Sequence, residues 1–306
     1  MAFFIENQHI TYRELLLLST AFLYNYGIES PQLNAQKLLQ NCFRINKLQL
    51  INISETIVDN PIALACFVEC INKRATNYPL QYIIGKQFFY NIELIINKNT
   101  LIPRPETEQL VDIITKHFIY TSTIDKPIKA VDICSGSGCI GLALAKFFND
   151  STNYNNNLNT FLGIDICNNA ISVANQNKDN LKLNNISFIN ISLEEFIEQS
   201  RSSNKQKYNL ITFNPPYISL SDYNKLDKSL YFEPRIALTD NNDGLTFFRI
   251  IADNLEHLLE KNGFLYLECA INQARIISEM FYRNGYITEI KTDFAGIERY
   301  LIVTYK

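Results

Sequence analysis

Four consecutive residues, Asn214-Pro215-Pro216-Tyr217, combine types and spacing that could do chemistry. They follow an apolar run, Tyr208 to Phe213, that reads as a buried strand, so they stand at a strand's C-terminal end. In an open α/β sheet, ligands bind along that edge. Two successive prolines fix φ, remove two backbone donors and push the residue before each out of the helical region. What remains is a stiff turn offering acceptors: the Asn214 side-chain oxygen and backbone carbonyls that no helix uses. Such a cluster suits a substrate NH2 group. An ordinary Pro-Pro loop is the alternative, and the tetrapeptide alone does not separate the two.

A second constellation lies upstream. Val131-Asp-Ile-Cys-Ser-Gly136-Ser-Gly138-Cys-Ile-Gly141 reads as a strand, a glycine turn and a helix start. Gly136, Gly138 and Gly141 satisfy the G-x-G-x-x-G pattern of dinucleotide sites. At the end of the next strand, Asp165 offers a carboxylate that can accept from both hydroxyls of a ribose. Together they indicate an adenosine-containing cofactor and leave a nicotinamide dinucleotide and S-adenosylmethionine both open. Glycines placed only for tight helix–sheet packing are the plainer reading. Asp132, just before the turn, is read as holding the loop or the cofactor's methionine end. A dehydrogenase needs a proton donor beside its nicotinamide, and none of His9, His117 and His257 falls at a strand's C-terminus. An acceptor cluster there suits methyl transfer to nitrogen.

The elements that must position these groups follow from pattern. From Lys129 onward strands and helices alternate, the signature of a doubly wound α/β sheet. Strands are expected near 129–134, 161–166, 186–190, 208–213, 263–269, 286–291 and 298–304. Helices are expected near 138–148, 168–181, 243–261 and 271–283, with the Asn-rich stretch 149–159 as a loop. The first 84 residues read instead as a small helical domain. Thr11-x-x-Glu14 is a capping box. Ser30-Pro31 and Asn60-Pro61 each place an N-cap before a proline at the first helical position. Phe88 to Leu94, with Asn91 suited to left-handed geometry, is a hairpin, so residues 85–100 read as a linker and 101–306 as the sheet domain. Leu101-Ile-Pro-Arg-Pro-Glu-Thr-Glu108 is a rigid lead into a helix near 106–119, with Glu106 and Glu108 favouring its dipole.

Composition sets limits. The 306 residues carry 28 Lys and Arg against 31 Asp and Glu, a formal net charge of -3, which argues against a surface built to coat nucleic acid. Seven cysteines form no CxxC pair and read as small buried residues of a reducing compartment. Cys66 and Cys70 share a helix face, but partners for a metal are not evident, so no metal site is read. No run is long and apolar enough to span a bilayer. A cytoplasmic monomer without membrane or direct nucleic-acid contact is expected.

Several motifs resemble those of the HemK/PrmC glutamine methyltransferases, which modify class 1 peptide chain release factors. They are Pro79-Leu-Gln-Tyr-Ile-Ile-Gly85, the 101–108 segment, the glycine turn, Asn214-Pro-Pro-Tyr-Ile218, Tyr231-Phe-Glu-Pro-Arg-Ile-Ala-Leu238 and Asp243-Gly244-Leu245. The resemblance covers nearly the whole chain. It implies a class I S-adenosylmethionine-dependent methyltransferase, Rossmann-like with an antiparallel last strand, behind a helical substrate-recognition domain. It implies transfer of methyl to the N5 amide nitrogen of a Gly-Gly-Gln glutamine. Cys134, Ser135, Gly136, Ser137 and Gly138 would hold the cofactor's methionine end, Asp165 its ribose, and the segment around Ser192-Leu193 its adenine. Asn214 would touch both cofactor and substrate, with Pro215, Pro216 and Tyr217 completing the substrate site. Cys134 stands where the family usually has the first loop glycine, and Ser192-Leu193 replaces a common Asp plus aromatic, so Leu193 can only pack on the adenine.

The mechanism expected is positional. Asn214 Oδ1 accepts one amide hydrogen, the Pro215 carbonyl accepts the other, and Tyr217 packs on the planar amide, with no covalent intermediate. Alignment of this kind is worth about 7–11 kcal/mol. Arg104 and Glu106 are read as an ion pair or helix cap, with substrate contact the alternative. Glu233 and Arg235 are read as a salt bridge ordering the loop beside the site. Rival readings are a methyltransferase acting on a ribosomal-protein glutamine, an N6-adenine methyltransferase that shares the tetrapeptide, and a non-catalytic cofactor-binding module.

Overall fold

The computed structural model describes residues 2–5, 9–121, 127–150, 159–202 and 207–306. The chain divides into two compact units. One comprises Met1–Gly85 with Asp227–Phe232; the other comprises Lys86–Leu226 with Glu233–Lys306.

The first unit is helical: α1 (Tyr12–Asn25), α2 (Pro31–Phe43), α3 (Lys47–Asn52), α4 (Pro61–Ala75) and α5 (Leu80–Ile84). Thr11 and Glu14 form the reciprocal capping box that opens α1, and the Asn60 side chain caps α4 ahead of Pro61. Ser30 departs from expectation. It sits at φ +47 with no side-chain cap, and the Asn34 side chain instead donates to the Glu29 and Ser30 carbonyls. Leu15, Leu23, Leu38, Leu39, Phe67 and Ile71 are buried in its core, each worth about 1.5–3 kcal/mol of transfer free energy. The segment 227–232 belongs with this core, and Phe232 meets Tyr78 edge-on at 5.1 Å.

The second unit opens with the hairpin β1 (Lys86–Phe89) and β2 (Ile92–Ile95). Tyr90 and Asn91 both take positive φ, as the two-residue turn requires. Then come α6 (Pro105–Thr121), β3 (Lys129–Ile133), α7 (Cys139–Asp150), β4 (Thr160–Asp165), α8 (Asn168–Leu181), β5 (Ile186–Asn190), α9 (Leu193–Ser202) and β6 (Tyr208–Phe213). Short α10 (Leu220–Tyr223) and α11 (Arg235–Leu238) precede α12 (Thr246–Asn254), β7 (Leu259–Glu268), α13 (Ala274–Arg283), β8 (Tyr286–Thr292) and β9 (Glu298–Tyr305). The sheet order is β5-β4-β3-β6-β7-β9-β8, parallel except for β9, which runs antiparallel to both neighbours. The antiparallel last strand is therefore present. The chain winds outward from β3 to β5 and then returns to lay β6 beside β3. The crevice between their C-terminal ends is the place where such sheets bind ligands.

Three expectations are corrected. The helix read over 243–261 is only α12 followed by a short 3-10 turn, because β7 begins at Leu259, opposite Tyr208. The helix read from 138 starts at Cys139, since Gly138 has φ +80. The cysteines are not generally buried: Cys269 is, Cys66 is exposed, and the other five are half-buried. Of the Asn-rich loop, 151–158 lie outside the described residues, while Asn149 and Asp150 close α7. Among the described residues no helix is long and apolar enough to cross a membrane.

Candidate active site

The glycine turn after β3 is held from below by Asp132. Its carboxylate accepts from Thr212 Oγ1 at 2.7 Å, Ser135 Oγ at 2.8 Å and the Gly141 amide at 3.1 Å. Asp132 is 4% exposed, and burial pushes its pKa up to about 6 against the pull of those three donors. The turn itself bends through positive φ at Cys134, Gly136 and Gly138. A Cβ on Gly138 would come within 2.8 Å of the Phe188 ring, whereas one on Gly136 would meet nothing within 4 Å. Gly138 lets the turn pack, and Gly136 keeps a space open.

That space belongs to a cavity at the sheet's C-terminal edge. Cys134, Gly136, Asp165, Leu193 and Asn214 line it, joined by apolar Ile133, Ile164, Ile166 and Ile191, and by Phe247 from α12. Of the residues expected around a cofactor, Ser135, Ser137 and Gly138 are absent from the lining. They sit beneath the turn: Ser135 on Asp132, and Ser137 with its carbonyl accepting from Asn177 Nδ2 at 3.0 Å.

Asp165 accepts from the Gly136 amide through Oδ2 and the Cys167 amide through Oδ1, both at 2.8 Å. Burial raises its pKa, and the two amide donors oppose that. Each oxygen is thereby fixed in place with a lone pair to spare. Ser192 is committed to a capping box with Glu195 at the start of α9, which leaves Leu193 to face the cavity. A fixed carboxylate, an apolar wall and a glycine-lined space fit the ribose, adenine and chain of an adenosine-type group.

The Asn-Pro-Pro-Tyr turn leaves β6 at the same edge. Asn214 and Pro216 line the cavity, and Pro215 is buried. Asn214 Nδ2 donates to Thr107 Oγ1 at 3.4 Å, and Thr107 donates in turn to Glu268 Oε2 at 2.8 Å. The Tyr217 hydroxyl donates to Glu268 Oε1 at 2.9 Å. One buried carboxylate, 1% exposed, therefore anchors both ends of the turn. Burial raises the pKa of Glu268, and burial beside that charge raises the pKa of Tyr217. With Nδ2 turned toward Thr107, Asn214 keeps its acceptor Oδ1 and one N–H uncommitted. Tyr217 lines a second, more open groove with Ile218, Ser219, Asn242 and Gln273.

Arg104 and Glu233, each read above with a different role, are partners of one another. Glu233 also accepts from the Ile102 amide at 3.0 Å, so the two family segments are laced together. The expected Glu233–Arg235 bridge is not made. Glu233 points into the protein, whereas Arg235 is exposed, donates to Asn241 Oδ1 and lies over the Tyr223 ring. The Glu106 carbonyl accepts from the Tyr300 hydroxyl at 2.8 Å.

Residues 14–85 match the family model of the PrmC N-terminal domain, and residues 124–291 match that of a methyltransferase domain. The release factor glutamine methyltransferase of Thermodesulfovibrio yellowstonii is 32% identical over 274 residues, spanning 88% of this chain and 91% of that protein. The chain belongs to the release factor glutamine methyltransferase family. The relative of that name from Streptococcus pneumoniae is 34% identical across 78% of this chain and 79% of its own length. A bifunctional methyltransferase of Rickettsia felis is 32% identical across 95% of the chain, which spans 57% of that longer protein.

Within the family frame, sequence reasoning passed over Thr107, Thr212 and Glu268 as site residues. One signal was available: Glu268 ends the apolar strand run Phe264-Leu-Tyr-Leu267, and a charged residue buried there needs donors. Thr107 sits inside a motif whose prolines and acids carry the stronger sequence signal.

Proposed function

We propose that this chain transfers a methyl group from S-adenosylmethionine to the N5 amide nitrogen of the Gly-Gly-Gln glutamine in class 1 peptide chain release factors. The observation that carries the reading is the fixed acceptor turn at Asn214, opening onto the same cavity as Asp165 in a chain of this family. The protein acts in the cytoplasm as a monomer, supporting translation termination, with no direct contact to nucleic acid. The relatives do not favour a ribosomal-protein glutamine or DNA adenine as the target.

S-adenosylmethionine, when bound, supplies an electrophilic methyl group. The chain's own residues bind and align. Asp165 takes the ribose hydroxyls, Ile166, Ile191 and Leu193 flank the adenine, and Cys134 with Gly136 borders the methionine end. Asn214 Oδ1 accepts one hydrogen of the substrate amide and the Pro215 carbonyl accepts the other; neither oxygen is basic enough to keep it, so the proton that the methylated nitrogen sheds passes to solvent. An amide nitrogen is a poor nucleophile because its lone pair is delocalised into the carbonyl. Two preorganised acceptors favour the form in which that nitrogen becomes more tetrahedral, and they need no reorganisation during reaction. The Thr107–Glu268–Tyr217 network keeps the turn from rotating away.

Asn214→Ala tests this directly. Methyl transfer should fall by at least about 100-fold, the scale of losing one preorganised polar contact, while S-adenosylmethionine binds within about tenfold of wild type, as read by calorimetry. Near-normal turnover would sink the mechanism, and so would a loss of affinity as large as the loss of rate.

A further inference from the structure

Three cysteines of the helical unit converge on one point. Cys66 and Cys70 lie one turn apart on a face of α4, and Cys42 arrives from the last turn of α2. Cys66 Sγ is 3.1 Å from Cys42 Sγ, and Cys42 Sγ is 3.7 Å from Cys70 Sγ. All three lie within 4.8 Å of one another. No pair is a disulfide, which needs sulfurs about 2.05 Å apart. Among the described residues this is the one group of three or more Cys, His or carboxylate ligands so placed.

A cysteine used purely for packing goes inside. This group does so only in part: Cys42 and Cys70 are half-buried against the helical core, while Cys66 is exposed and gives the cluster a side open to solvent. An ion binding thiolates at about 2.3 Å sets its sulfurs about 3.8 Å apart if tetrahedral and about 4.0 Å apart if trigonal. The Cys42–Cys70 separation of 3.7 Å already matches the tetrahedral edge, and the Cys42–Cys66 separation of 3.1 Å has to open by about 0.7 Å. Sequence spacing hid the site, because Cys42 precedes Cys66 by 24 residues and joins it only when α2 packs on α4.

We propose that Cys42, Cys66 and Cys70 form a three-thiolate site for a thiophilic closed-shell cation, of the Zn2+, Cd2+ or Cu+ class, that clamps α2 to α4. Three soft sulfur ligands select such ions over hard ones. Each thiol releases its proton to solvent on binding, three metal–sulfur bonds form, and nothing is oxidised. The open face leaves room for a water or an external ligand in a fourth position. The proposal is independent of the methyl-transfer reading.

Cd2+ alone is the probe, added to full-length protein freed of metal by a chelator and kept reduced with a phosphine. The expected result is one ion per chain, an ultraviolet sulfur-to-cadmium charge-transfer band, a raised melting temperature, and protection of Cys66 from alkylation. Cys66→Ser, at an exposed position, and Cys42→Ser should each weaken binding at least tenfold while leaving the metal-free far-ultraviolet circular dichroism unchanged. Wild-type binding that survives both substitutions together would overturn the site. So would binding lost with Cys167→Ser but not with Cys66→Ser, or a wild type whose Cys66 is alkylated at the same rate with and without Cd2+.

Discussion

Asp132 works one layer beneath the cavity, joining β3, the glycine turn and β6 through three hydrogen bonds to a single carboxylate. Its pKa is raised from 3.8 to about 6 by burial, which fixes the sign of its contribution to stability. Between those values the folded protein keeps a proton that the unfolded chain has released. Stability from this residue is therefore fully present below about pH 4 and is lost as pH rises through about 6. The shift corresponds to about 3 kcal/mol at 1.36 kcal/mol per pKa unit. Asp132→Asn has no such titration. The unfolding free energy of wild type minus that of the variant should thus fall by up to about 3 kcal/mol from pH 4 to pH 7, measured by denaturant unfolding. A difference flat across that range would contradict the assignment. The loop-holding role of Asp132 was legible from its place before the glycines. The partners Thr212 and Gly141 were not, because only parallel pairing of β3 with β6 sets Thr212 opposite Asp132.

At the scale of elements, the Asn-Pro-Pro-Tyr turn owes its shape to the loop that carries the Asp243-Gly244-Leu245 motif. Gln273, just ahead of α13, donates from Nε2 to the Tyr217 carbonyl at 3.0 Å and to the Gly244 carbonyl at 3.3 Å. Asp240 accepts from the amides of Asn242, Gly244 and Thr246, which stops α12 from starting earlier. Gly244 holds φ +81, and a Cβ there would stand 2.3 Å from the Tyr217 carbonyl oxygen. Gly244→Ala should destabilise the loop by about 1–2 kcal/mol from backbone strain alone. The clash with a backbone atom adds to this and should displace Tyr217, with a large loss of methyl transfer and little change in S-adenosylmethionine affinity. Paired turnover and calorimetric measurements check it; full activity in the variant would refute the buttress. Helix caps with their own side-chain signal, such as Thr11 and Asn60, were readable, as was the hairpin turn at Tyr90-Asn91. Ser30 and the start of α12 were not, because Asn34 and Asp240 supply the hydrogen bonds from several residues away.

Across the whole molecule, the return of the chain from β5 to β6 decides where chemistry happens. That crossover brings together a turn after β3, an acid at the end of β4 and a turn after β6, segments separated by up to about eighty residues. Alternating strand and helix patterns made the sheet legible and placed all three motifs at its C-terminal edge. The segment 227–232, which belongs with the helical unit, carried no signal in the sequence, because its partners lie about 150 residues upstream. Nor does any local pattern name the substrate. The acceptor turn calls for an NH2 group, and the choice of a protein glutamine comes from family membership across both units. The most direct measurement is transfer of labelled methyl from S-adenosylmethionine, offered at once to a class 1 release factor, to the same factor with its Gly-Gly-Gln glutamine replaced, and to DNA. Label should appear on the intact release factor alone; label on the glutamine-replaced factor or on DNA would contradict the account.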